Sequence, residues 1–106
     1  MIEKERHALI RGRILQILAQ EYPNGLDLVL LRKVLANINI PLTQKEIWGY
    51  VVYLRDIGYI TIEERSGGSG CNKYDEYVVR YAIATTKGLN FIDNHLKDPD
   101  PGVTRV

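Results

Sequence analysis

Catalysis in a short chain has to come from a few reactive side chains held together: histidines, cysteines, paired acids or a glycine-rich phosphate loop. His7 and His95 stand near opposite ends of the sequence, with no carboxylate or cysteine pattern beside either. Cys71 is the only cysteine; zinc would need three or four ligands at regular spacing, and a nucleophilic thiol needs cationic neighbours that lower its pKa. Glu63 and Glu64 are adjacent in a segment with strand character, so they point to opposite faces and make a poor acid/base pair. The run Gly67-Gly68-Ser69-Gly70 lacks the Gly-Lys-Ser/Thr ending and following helix of a phosphate loop. The expectation is a non-enzyme with no metal site and no cofactor.

Recognition chemistry is better supplied. Thr43 and Glu46 have the S/T-x-x-E spacing of a capping box, which starts a helix at Thr43. Ile47, Val51 and Leu54 then form its buried stripe, leaving Gln44, Lys45, Trp48, Gly49 and Val52 outward, with Tyr53 and Arg55 toward the flank. Glutamine pairs bidentately with adenine, and lysine reaches guanine or phosphate. Thr43 can hold a phosphate while capping, since helix N-termini attract anions. Gly49 would let another backbone come close. Trp48 has three uses open to it: stacking on a base, packing under a neighbouring hairpin, or anchoring a protein partner. Arg65 and Lys73, beyond the helix, would serve phosphates or a minor groove.

The elements that must position these residues follow from periodicity. Ile10, Ile14, Ile17 and Leu18 give residues 2–21 one helical face, and Tyr22-Pro23-Asn24-Gly25 ends that helix. Asp27 is a good N-cap for a second helix, with Leu26 and Leu31 at hydrophobic-staple spacing and Leu31, Val34, Leu35 and Ile38 as its buried stripe. The helix from Thr43 ends at Gly58, a natural C′ residue. Residues 59–65 and 74–84 alternate like strands around a Gly/Ser loop, and read as a hairpin. Thr85 or Thr86 caps a last helix reaching about Lys97, with Leu89, Ile92 and Leu96 inward. Residues 1–97 thus form one domain, and residues 98–106, with two prolines, an extended and flexible tail.

This order resembles the winged helix-turn-helix proteins: an α+β fold with a three-helix core, a two-stranded β wing and a C-terminal helix. VVYLRDIGYITI, Val51 to Ile62, is similar to their helix-to-strand junction, and ATTKGLNFI, Ala84 to Ile92, to the entry of their closing helix. The length, the wing and the ending Gly102-Val103-x-Arg105 resemble the small winged-helix proteins of Mu-like phages and prophages. The resemblance implies double-stranded DNA as partner, the helix from Thr43 in the major groove, and a role in transcription regulation or DNA handling.

Charge argues the other way. Fourteen Lys and Arg against thirteen Asp and Glu leave a net +1, whereas specific DNA binders typically neutralise about 6–10 phosphates. Arg6, Arg11 and Arg13 of the first helix could add cations, and a homodimer would double the contacts. A protein-interaction module using the same helix and hairpin is the rival reading. The lone cysteine, the charged N-terminus and the lack of any apolar run near 18 residues point to the cytoplasm, with no membrane association.

Overall fold

The computed structural model describes residues 2–67, 77–93 and 102–104. Among these residues, four helices and a three-stranded antiparallel sheet make an α+β fold: α1 (Ile2–Gln20), β1 (Leu26–Asp27), α2 (Leu28–Asn37), α3 (Gln44–Asp56), β2 (Ile60–Gly67), β3 (Tyr77–Ala84) and α4 (Thr86–Asp93). The sheet order is β1-β3-β2.

Each helix boundary has a local cause. Asp27 accepts from the Leu30 N–H at 2.8 Å and opens α2. Thr43 and Glu46 close the expected capping box in both directions, at 3.1 and 3.0 Å. At the far end of α3, Gly58 takes a positive φ of 86° while its N–H donates to the Arg55 carbonyl and the Tyr59 N–H donates to that of Leu54. That is a Schellman ending, and it turns the chain into β2. Asn39, at φ 65°, ends α2 in the same way.

The sheet departs from the expected two-stranded wing. Asp27 has extended backbone at φ −69° and ψ 153°, so it caps α2 while Leu26 and Asp27 also pair with Ala82 and Tyr81. Two residues carry too little alternation to read as a strand. In the hairpin, Ile60 faces Ala84 and Ile62 faces Ala82, and this side meets the helices. The small Ala82 and Ala84 let the helical layer come close to β3.

α1 is buried over a wider arc than its isoleucines suggest. Ile10, Ile14 and Leu18 are covered as expected, Leu15 is fully buried, and Ile17 is only half-buried. The cause is its position, packed against α3, α4 and β3 together. Leu15 faces α4 at Gly88, where an added Cβ would stand 3.1 Å from the leucine. Along α2, Leu28, Leu31 and Leu35 are buried, whereas Ile38 is exposed because the helix ends there. In α4 the buried residues are Gly88 and Phe91, with Leu89 and Ile92 half-buried and the Phe91 ring on that of Tyr59. Leu96 and Lys97 lie outside the described residues.

Within the tail, the three described residues are docked rather than free. Gly102–Thr104 lie along α1: the Thr104 N–H donates to the Ala8 carbonyl at 2.9 Å, Arg11 Nη1 donates to the Gly102 carbonyl at 3.1 Å, and Val103 is 2% exposed. Burying the valine and pairing two backbone groups holds this piece down. No helix among the described residues is long and apolar enough to cross a membrane.

Candidate functional site

α3 buries Ile47, Tyr50, Val51 and Leu54 and turns its opposite side outward. Gln44 and Lys45 are exposed on its first turn, and Trp48 follows at 37% exposure. Gly49 is bare: no atom lies within 4 Å of where its Cβ would stand. Val52 is half-buried, and Arg55 is exposed beside Asp56 at 3.4 Å. Thr43 serves as the cap. Its N–H and hydroxyl hold the Glu46 carboxyl below the ordinary glutamate value.

Arg65 belongs to β2. It is bound to Glu63 at 2.7 Å and lies 4.1 Å from the centre of the Tyr81 ring. These residues share the outer face of the hairpin, where Glu63 pairs with Tyr81 and Arg65 with Val79. Glu63 and Glu64 do take opposite faces: Glu64 stands across from Arg80 and binds its Nε at 3.4 Å. Lys73 lies outside the described residues.

Trp48 is where helix and sheet meet. The Arg80 guanidinium stands 5.2 Å from the centre of its ring. Around this pair is a cleft of about 440 Å³, walled by Asp27, Leu28 and Val29 at the start of α2, Gln44 and Trp48 on α3, and Val79 and Arg80 on β3. Arg80 was not among the residues singled out from sequence. The signal was present: Arg80 shares its strand face with Ala82 and Ala84, so it continues the helix-facing side past the core. Nothing in the sequence tells that α3's first turn would be waiting there. Val29, 51% exposed, adds apolar surface to it.

A second, shallower hollow of about 320 Å³ lies on the other flank of α3, among His7, Arg11, Glu46, Gly49 and Tyr50. His7 Nδ1 and the Tyr50 hydroxyl are 2.6 Å apart. Burial raises the Tyr50 pKa above its usual value. The cations expected from α1 are largely committed: Arg11 holds Gly102 and lies 3.7 Å from the centre of the Tyr53 ring, and Arg13 donates to Gln16 at 3.0 Å. Among the described residues no three His, Cys, Asp or Glu side chains gather as a metal site would need.

No family model matches the chain, and neither a curated protein nor a solved structure is detectably similar to it.

Proposed function

We propose that the chain is a winged-helix DNA-binding protein, with α3 entering the major groove and the β2–β3 hairpin as the wing. The observation that carries this is the capped α3 with Gln44, Lys45, Trp48 and Gly49 outward beside an antiparallel hairpin. The chain order of elements and the placing of β1 against β3 fit the same architecture. Within this reading the protein acts in phage or prophage transcription or DNA handling, in the cytoplasm and as a homodimer. Binding of duplex DNA across a salt series tests it: affinity falls steeply with salt, and Lys45→Ala flattens the slope. Absence of duplex binding at low salt would sink it.

One observation favours the protein-docking alternative. Arg55, Arg65 and Arg80 each have an acidic partner, while Trp48, Val29 and Leu30 offer exposed apolar surface. That reading expects a partner protein whose binding depends on Trp48 and responds little to salt.

A further inference from the structure

We infer that the cleft between α2, α3 and β3 is a pocket for an unstacked nucleobase, so that the preferred ligand is DNA with an unpaired or extruded base. The inference rests on the DNA-binding reading and deepens it. The cleft volume, about 440 Å³, falls in the small-ligand range. The half-exposed indole of Trp48 and the aliphatic Val29 are among its lining. An aromatic platform of this kind binds any base by its π-face.

Polar groups ring the platform. The Gln44 amide makes no hydrogen bond with a described residue and offers both a donor and an acceptor. Asp27 uses Oδ1 for the Leu30 N–H, which leaves a second carboxylate oxygen as acceptor. Arg80 supplies a cation. Its pair with Glu64 runs through Nε at 3.4 Å with both side chains about half-exposed, and such pairs are weak enough to exchange for a phosphate. A planar ring with donors and acceptors on its edge and an anion nearby describes a nucleotide. An aromatic amino-acid side chain would match the indole but leave the cation and the amide unused.

Trp48 is the only tryptophan, which makes its fluorescence a direct reporter. The full chain is titrated with a perfect duplex, the same duplex carrying a one-base bulge, and a single-stranded thymidine oligonucleotide. Bulged and single-stranded DNA quench the indole and bind more tightly than the perfect duplex. Trp48→Ala loses that preference by roughly 5- to 150-fold, the value of one stacked base, while Trp48→Phe retains it. Thermal unfolding of both variants checks that the fold survives, as expected for a partly exposed side chain. Equal affinity for bulged and perfect duplex, or equal loss for both in Trp48→Ala, overturns the pocket and leaves the duplex reading standing. If no form of DNA binds at low salt, both fall.

Discussion

The Arg11 guanidinium lies 3.7 Å from the centre of the Tyr53 ring, and from the same side chain Nη1 donates to the Gly102 carbonyl. One arginine therefore ties α1 to α3 and to the C-terminal segment. Its Nε is buried and has no hydrogen-bond partner among the described residues. Arg11→Ala loses the stacking and the hydrogen bond and should cost about 1–3 kcal/mol. Arg11→Lys keeps the charge without the planar stack and recovers only part. Arg11→Met, which removes the unpaired nitrogen but keeps the packed stem, should lie between wild type and Ala in urea unfolding.

Gly12 gives a sharper test of the same segment. Glycine inside a helix normally costs roughly 0.5–1 kcal/mol relative to alanine, so Gly12→Ala would ordinarily stabilise. Here an added Cβ would collide with the Thr104 carbonyl. The substitution should therefore destabilise the full chain. In a chain ending before Gly102 the obstruction is gone, and the same change should stabilise. A double-mutant cycle by urea denaturation reads the sign directly; the same sign in both backgrounds would show that Gly102–Thr104 do not dock in solution.

Where the sequence was explicit, it was so because one local rule decided the outcome. Thr43 with Glu46 located α3 to the residue, and Gly58 marked its end, since each motif satisfies backbone groups within one helical turn. The docked tail and β1 escaped notice for the opposite reason. Val103 is buried by a surface about ninety residues away in sequence, and Leu26–Asp27 are extended only because β3 passes beside them. The candidate site divides the same way. Gln44, Lys45 and Trp48 follow from helical period alone, whereas Arg80 joins them through strand register and packing between distant elements.

The capping box should be visible in the pH dependence of stability. The Thr43 backbone N–H, and then its hydroxyl interaction, lower the Glu46 pKa below the ordinary 4.5. A carboxylate held down in the folded state adds stability that is present above the unfolded pKa and fades as pH falls through the folded one. Glu46→Gln should remove this contribution, so that mutant and wild type converge in acid. Thr43→Ala should cost about 0.5–2 kcal/mol at neutral pH. Urea midpoints across the acid range check both.

Thr85 joins the end of α3 to the start of α4. Its Oγ1 donates to the Gly58 carbonyl at 2.6 Å and accepts from the Gly88 N–H at 3.1 Å, and Lys87 Nζ donates to the Ile57 carbonyl at 2.9 Å. Thr85→Val keeps the shape and deletes both hydroxyl bonds, for an expected loss of about 1–3 kcal/mol. Thr85→Ser should restore most of it. Thermal denaturation that leaves Val equal to Ser would remove the hydroxyl from the account.

The acidic partners of the arginines yield a prediction that separates the two functional readings. Glu63 binds Arg65 at 2.7 Å, and its hydrogen bond raises the guanidinium pKa further, so Arg65 is a full cation already engaged. A phosphate approaching the hairpin must displace that carboxylate or share the guanidinium with it. Glu63→Gln removes the competing charge. If the hairpin lies along DNA, duplex affinity should rise and the plot of log affinity against log salt should steepen, by up to about 0.9 for one added phosphate contact. The stability cost should be small, because the pair is half-exposed. A protein partner gripping Trp48 and Val29 gains nothing from the change. Unaltered affinity and slope in Glu63→Gln, with duplex binding otherwise intact, would move the DNA contact off the hairpin and onto α3 alone.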